Sequence, residues 1–146
     1  MATHSAPDLN TKPLPMGGYG NAAMVYGTVN PASGAIASVY RPVRIPAGMT
    51  VTGLKINNDD LDTGGTSFAV KIGYTPVSAG DGTVGDDDYF SPATTILSAP
   101  NLTDLRFPPL KFEKDVYVDL TVTVAATTFA PGAVTAIVTG DATGVR

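Results

Sequence analysis

Residues 115–124 alternate between polar and apolar side chains more regularly than any other stretch of this chain. A period of two places the two sets on opposite faces of a β-strand, so the apolar set is predicted to point inward. The inward set is Val116, Val118, Leu120, Val122 and Val124, and the outward set is Tyr117, Asp119, Thr121 and Thr123. Asp119 is therefore expected on a surface that faces solvent or another subunit.

Similar stretches recur along the chain between turns rich in glycine and proline. Further strands are predicted at residues 23–29, 35–40, 49–57, 67–74 and 133–139. Residues 41–48 and 105–112 each contain two prolines, which restrict them to sheet edges or irregular links. Strong helix formers are scarce, since glutamate occurs once and lysine five times. We therefore predict an all-β chain: a single antiparallel β-sandwich or jelly-roll-like domain with one short helical turn.

The composition limits the possible partners and chemistry. A chain of 146 residues fits one domain with a hydrophobic core. The formal charge of −4 comes without a basic patch, so no nucleic-acid partner is expected. No apolar run approaches the roughly 18 residues of a membrane span, and the N-terminus does not resemble a signal peptide. Because cysteine is absent, disulfides and thiolate metal sites are excluded. We expect a soluble protein without a cofactor.

The first 20 residues differ from the rest. Three prolines and three glycines break any regular pattern, and the apolar side chains are spaced singly. Such a segment buries too little surface to order itself, so it is predicted to be an extended arm, either loose or laid on another subunit. Residues 1–20 are assigned to this arm and residues 21–146 to the β-sandwich domain. The apolar residues that favour docking of the arm are Leu9, Leu14, Met16 and Tyr19.

Two acidic segments raise the question of a metal site. NDDLDTGG at residues 58–65 is typical of a polar hairpin connection, because Asn, Asp and Gly accept the backbone conformations of turns. GDDDYF at residues 85–90 fails the EF-hand pattern of a sixth-position Gly and a twelfth-position Glu. Asp88 is instead predicted to cap a helical turn within residues 89–97. A looser calcium site at Asp86 and Asp88 stays open as an alternative.

Candidate catalytic groups are few. His4 is the only histidine, and it lies in the expected arm, where it cannot orient a nucleophile. Paired carboxylates could support glycoside hydrolysis, but most of them fall in predicted turns and tryptophan is absent. We therefore predict no catalytic residues and no enzymatic activity.

The order of the segments carries a family resemblance. A Gly-rich arm precedes MVYGTVNPASGAIASVYRPVRIPAG and TVTGLKINNDD; then come FAVKIGYTP, DDDYF and ATTIL, and the chain closes with VYVDLTVTVAATTFAPG and AVTAIVTG. This order resembles small virion proteins of tailed bacteriophages of the capsid decoration, or cement, type. The resemblance covers most of residues 21–140, and its most specific part is IGYTP followed by DDDYF.

The resemblance implies a capsid-stabilising role. Such a protein would be made in the host cytoplasm, bind the outer surface of the head and bridge subunits of the major capsid protein. It would also form homo-oligomers, with trimers favoured. The residues expected to contact the shell are Leu9, Leu14, Met16, Tyr19, Arg41 and Arg44. Two alternatives stay open: a calcium-dependent, lectin-like carbohydrate-binding module, and a tail- or fibre-associated β-sandwich.

Overall fold

The computed structural model describes residues 1–11 and 22–144, whose regular structure is almost entirely β-strand. In chain order the strands are β1 (Thr3–Ser5), β2 (Ala22–Val29), β3 (Val39–Arg41), β4 (Arg44–Ile45), β5 (Met49–Asn58), β6 (Ala69–Pro76), β7 (Asp86–Thr94), β8 (Asn101–Leu105), β9 (Leu110–Phe112), β10 (Val116–Val124) and β11 (Val134–Ala142). A 3-10 turn at Ile96–Ser98 separates β7 from β8. Within the described residues, no helix has the length and apolar character needed to cross a membrane.

The strands form two sheets. Sheet A has the order β1-β3-β10-β6-β7, and the short β4 also pairs with β10. Sheet B has the order β2-β11-β5-β8, and the short β9 also pairs with β5. Among the described strands, β1 and β3 run parallel and the other pairs are antiparallel. One cluster of buried side chains draws on both sheets, so the prediction of an all-β, two-layer fold is confirmed.

Prolines interrupt the strand pairing at two places, one beside the long strand β10 and one beside the long strand β5. Pro42 lies between β3 and β4, and both of these short strands pair with β10. Pro108 and Pro109 lie between β8 and β9, and both of these pair with β5. Because proline cannot donate to a ladder, each place is occupied by two short strands instead of one long strand.

Strand β10 follows the predicted alternation over most of its length. Val116, Val118, Leu120 and Val122 are buried, with no more than 1% of each residue exposed. Val124 is 44% exposed, so its predicted inward orientation is wrong. The register with β6 shifts between Val122 and Val124, and such an irregularity breaks the two-residue period.

The predicted strand at residues 35–40 is largely absent. Its regular part is reduced to β3, which starts at Val39. Ala37 adopts a left-handed backbone conformation with φ of 64°, which a strand cannot accommodate. The Ala37 N–H instead donates to the Val122 carbonyl at 2.9 Å. The segment therefore turns onto sheet A rather than extending β3.

Residues 1–11 pack against their own chain. Strand β1 pairs with β3, which brings the His4 ring to 6.0 Å from the buried Tyr40 ring, so the expectation that His4 is untethered is wrong. The Ala6 N–H donates to the Arg41 carbonyl at 2.9 Å, and Ala6 and Leu9 join the core cluster. Parallel pairing with a distant strand is not visible in a three-residue sequence, which explains why it was not predicted. Residues 12–21 lie outside the described part of the chain.

Candidate functional site

The three aspartates of GDDDYF open strand β7 at the edge of sheet A. The prediction that Asp88 caps a helical turn is wrong, because residues 86–94 are extended. The 3-10 turn begins only at Ile96, and the side chain of its N-cap residue Thr95 makes no capping hydrogen bond. Pro92 is accommodated in β7 because an edge strand needs no backbone donor on its open side. The acidic segment is therefore part of a sheet edge.

The three carboxylates form a small surface cluster. Oxygen atoms of Asp86, Asp87 and Asp88 all lie within 4.8 Å of one another. Lys71 Nζ donates to Asp87 Oδ2 at 2.9 Å, and this hydrogen bond, aided by the charge of Asp87, raises the pKa of Lys71. A side-chain hydrogen bond with Asp86 is the largest cause that raises the pKa of Asp88. Calcium is bound by six to eight oxygen atoms. The three carboxylates supply only some of these ligands, so the calcium site at Asp86 and Asp88 stays a prediction.

An aromatic cluster joins β7 to sheet B. The Phe90 and Phe107 rings lie 4.8 Å apart, and the Tyr74 and Phe112 rings lie 4.9 Å apart, each pair edge to face. Phe107 and Phe112 belong to the β8–β9 region, so these contacts cross between the sheets. Tyr89 adds a hydrogen bond from its hydroxyl to the Pro108 carbonyl at 2.9 Å. The acid–aromatic stretch thus holds the two sheets together at one edge.

A buried ion pair lies on sheet A. Arg41 Nε donates to Asp119 Oδ1 at 2.8 Å, and its Nη2 donates to Asp119 Oδ2 at 3.2 Å. The Thr75 hydroxyl donates to Asp119 Oδ2 at 2.8 Å, and the guanidinium lies 4.9 Å from the centre of the Tyr117 ring. Asp119 is only 3% exposed, so the expectation of a solvent- or subunit-facing carboxylate is wrong. Its position in the alternation was predicted correctly, but Arg41 covers it.

The second arginine of this region makes a more exposed ion pair. Arg44 Nη2 donates to Asp115 Oδ2, and the Ala47 N–H donates to Asp115 Oδ1 at 2.6 Å. About 30% of each of the two side chains of the ion pair is exposed. Arg41 and Arg44 are thus brought to the same side of β10, and each is neutralised by an aspartate of its own chain.

The remaining predicted contact residues belong to the N-terminal segment. Leu9 is 8% exposed and packs in the core cluster. Its neighbour Asn10 accepts a hydrogen bond from the Tyr117 hydroxyl at 2.9 Å, so this segment is tied to sheet A. The residues Leu14, Met16 and Tyr19 lie outside the described residues.

The other acidic segment, residues 58–65, is hydrogen-bonded to the loop that precedes β11. Asp60 Oδ1 accepts the Asp62 N–H at 2.9 Å, which is the local turn chemistry that the sequence indicated. Asp62 Oδ1 accepts the Thr128 N–H at 2.9 Å, and Asp59 Oδ2 accepts the Ala133 N–H at 2.8 Å. These carboxylates therefore satisfy backbone donors of the loop before β11. The burial of Asp62, at 1% exposure, was not visible in the sequence.

Sequence reasoning missed an exposed apolar strand at the edge of sheet B. Met24 and Tyr26 of β2 are 56% and 52% exposed, while Val25 and Val29 of the same strand are buried. Ile137 of β11 lies directly beside Tyr26 in the register of the two strands. The signal was present in AAMVYGTV, where both alternating sets contain apolar residues, so one set had to remain on the outer face.

The described geometry is that of a two-sheet β-sandwich whose carboxylates serve ion pairs, turns and a sheet edge. No family model matches the sequence, and no curated protein matches it either. The fold is similar to that of a chain in the capsid of Ralstonia phage GP4, with a TM-score of 0.79, 16% identity and coverage of 95% of this chain and 97% of that chain. A chain in the capsid asymmetric unit of cyanophage Pam1 gives a TM-score of 0.65 and 22% identity, covering 92% and 98% of the two chains.

A third similar chain belongs to the acid-stable capsid of Helicobacter pylori bacteriophage KHP30. Its TM-score is 0.55 at 15% identity, and the match covers 82% of this chain and 86% of that chain. At such low identities the likeness is one of fold. The chain therefore shares its architecture with chains of three phage capsids.

Proposed function

We propose that this protein is a virion structural protein of a tailed bacteriophage and that it acts as a capsid decoration, or cement, protein. It binds the outer surface of the head and stabilises contacts between subunits of the major capsid protein. The observation that carries the proposal is the likeness to the Ralstonia phage GP4 capsid chain, which covers 95% of this chain and 97% of that one. Because coverage is nearly complete in both directions, the likeness extends over the whole sandwich.

The proposed mechanism is stabilisation by preferential binding. A protein that binds only the assembled, expanded shell stabilises that state by about 2.7 kcal/mol per site when its free concentration is about 100 times Kd. Many copies on a symmetric shell add their contributions. The Asp119 carboxylate of sheet A is used inside the chain, in its ion pair with Arg41, which fits a protein that supplies binding surfaces rather than reactive groups. In this proposal the protein is not an enzyme.

Some of the residues predicted to contact the shell already make contacts within their own chain. Leu9 packs in the core, and Arg41 and Arg44 are bound to aspartates of the same chain. We therefore assign the main shell contact to Leu14, Met16 and Tyr19, with the two arginines contributing through their exposed portions. The protein is proposed to bind as a homotrimer, since closed cyclic symmetry presents several copies of a contact to the shell at once.

A reconstitution experiment tests this role. Purified protein is added to expanded heads that lack it, and bound copies are counted by gel densitometry and located by cryo-EM. The variant carries L14A, M16A and Y19A together, and it leaves residues 1–11 intact because Ala6 and Leu9 are part of the core. The matched control is V84A, since Val84 is 82% exposed and far from the N-terminal segment in sequence. Wild type and V84A should coat the heads and increase their resistance to heat, whereas the triple variant should bind weakly.

Other outcomes would contradict parts of the proposal. If the wild-type protein leaves heads bare but labels tails, the tail-associated alternative replaces the decoration role. If it binds neither and its melting temperature rises with millimolar calcium, the lectin-like alternative is favoured. Normal head binding by the triple variant would remove the N-terminal contact while leaving the decoration role in place.

A further inference from the structure

The edge strands of this sandwich are not equally protected against pairing with another chain. At the edges of sheet A, β1 is three residues long, and β7 carries three aspartates, a proline and two register shifts. In sheet B, β8 and β9 are short and separated by a pair of prolines. Short length, charge, proline and irregular register are the devices that prevent edge-to-edge pairing. Each of these four strands has at least one of them.

Strand β2 has none of these devices. It is eight residues long and contains neither charge nor proline, and its register with β11 is continuous from Ala22 to Val29. Within residues 1–11 and 22–144, no strand pairs with β2 on the side away from β11. An unprotected strand of this length is a template for one more strand. Among the edges formed by the described strands, it is therefore the one best suited to accept another chain.

The sequence of β2 is complementary to itself. In an antiparallel pair, side chains stay on matching faces only when residues of the same parity are opposite each other. A two-fold axis at Val25 meets this condition and places Met24 opposite Tyr26 of the second copy, twice by symmetry. It also places Ala23 opposite Gly27. Sulfur–aromatic contacts of the Met–Tyr kind are favourable. An axis at Tyr26 would instead oppose Met24 to a threonine.

We propose that β2 is a two-fold contact between two copies of this chain, with Val25 on the axis and the two β2 strands antiparallel. The strand carries no charge that would repel its own copy, and its two large exposed side chains, Met24 and Tyr26, become each other's neighbours. The contact joins the two B sheets into one continuous sheet. It is independent of the proposed virion role; on a shell it would link neighbouring trimers.

The size of the contact indicates that it is weak in solution. Eight residues of antiparallel strand extend over roughly 27 Å at about 3.4 Å per residue, and a single strand pair buries less surface than a standard stable interface. Dimers should therefore form only at high protein concentration. On a surface that holds many copies, the same contact is strengthened by the high local concentration.

Engineered cysteines test the contact and its register, because the natural chain has none. M24C and Y26C are prepared separately, mixed, and oxidised mildly at high concentration. The proposed register places these two positions directly opposite each other across the copies, within the range that a disulfide needs. The mixture should give about tenfold more disulfide-linked dimer on a non-reducing gel than either variant alone. Both positions are more than half exposed, so the substitutions should leave the melting temperature nearly unchanged.

The control mixture pairs M24C with L102C. Leu102 is 59% exposed and belongs to β8, at the other side of sheet B. Dimer formation in this control at the level of the M24C and Y26C mixture would overturn the proposal. Efficient dimer formation by M24C alone or by Y26C alone would overturn the register with Val25 on the axis.

A second measurement does not rely on disulfides. Light scattering during size exclusion should show the mass of the wild-type particle rising at least about twofold as concentration increases, because each copy carries one β2 edge. The double variant M24D/Y26D places like charges opposite each other and should abolish this rise, while L102D should retain it. A wild-type mass that stays constant up to millimolar concentration, or equal behaviour of the two aspartate variants, contradicts the β2 contact.

Discussion

Replacement of Arg41 by alanine should destabilise the protein more than its position on an outer face of a sheet suggests. The change removes two hydrogen bonds, of 2.8 and 3.2 Å, from a carboxylate whose residue is 3% exposed. Asp119 would keep the Thr75 hydroxyl but lose its counter-ion. Breaking a buried pair by removing one partner costs about 3–5 kcal/mol, because the remaining charge stays buried. The Arg41 side chain is itself 28% exposed, so water can partly replace it, and we expect a loss of about 2–3 kcal/mol.

Arg44 provides the matched control, since R44A also removes an arginine bound to an aspartate beside β10. Both side chains of that pair are about 30% exposed, and the Ala47 N–H remains bonded to Asp115. A solvent-exposed pair contributes about 0–1 kcal/mol, so R44A should cost roughly that amount. The two variants therefore differ mainly in the burial of the carboxylate that is left behind.

The assay is urea unfolding followed by far-UV circular dichroism for wild type, R41A and R44A, with the slopes compared to check two-state behaviour. A loss of 2–3 kcal/mol should lower Tm by roughly 4–12 °C for a domain of this size. The double variant R41M/D119L should recover much of the loss, because it removes the unpaired charge. The reasoning is refuted if R41A and R44A have the same free energy of unfolding within about 0.5 kcal/mol.

Two further predictions concern the buried Tyr40 and the pairing of β5 with β11. Burial raises the pKa of the Tyr40 hydroxyl, so the folded state keeps a proton that the unfolded state loses near its usual pKa of about 10. Wild-type stability should therefore fall as pH rises above about 10, and Y40F should fall less steeply in urea unfolding at pH 7, 10 and 11; equal slopes would contradict this. A Cβ at Gly140 would lie 1.9 Å from the Thr50 carbonyl oxygen, whereas at Gly53 the nearest atom is the Thr139 hydroxyl, which can rotate away. G140A should thus lower the free energy of unfolding by about 1–3 kcal/mol more than G53A in the same assay. Equal losses for the two variants would contradict this prediction and show that the backbone between β5 and β11 can move to accept the added methyl group.

The sequence predicted the strands whose two faces have different environments. In β10, the core-facing residues are Val116, Val118, Leu120 and Val122, while threonines lie outside, so alternation located the strand and four of its five predicted inward residues. In β7 the same method failed, because three consecutive aspartates are more typical of a loop than of a strand. An edge strand tolerates them, since its open side faces water. Edge status depends on neighbours that are distant in sequence.

The candidate site shows the same limit. Alternation placed Asp119 on the outer face of β10, but only the folded chain brings Arg41, 78 residues earlier, over that carboxylate. The residues 1–11 were expected to be extended, yet nothing in their composition predicts pairing with β3. Turn chemistry at Asp60 could be predicted because it involves neighbouring residues. Contacts between distant segments could not.

Strands β10 and β11, which follow all the other described strands in chain order, occupy interior positions of the sheets. Strand β10 lies between β3 and β6, and β11 lies between β2 and β5. On the ribosome, the earlier strands therefore emerge without the neighbours that would complete their ladders, and most of the sandwich closes only after translation of β11. Until then the polypeptide exposes open strand edges, so chaperones that shield such edges should raise its yield of folded protein.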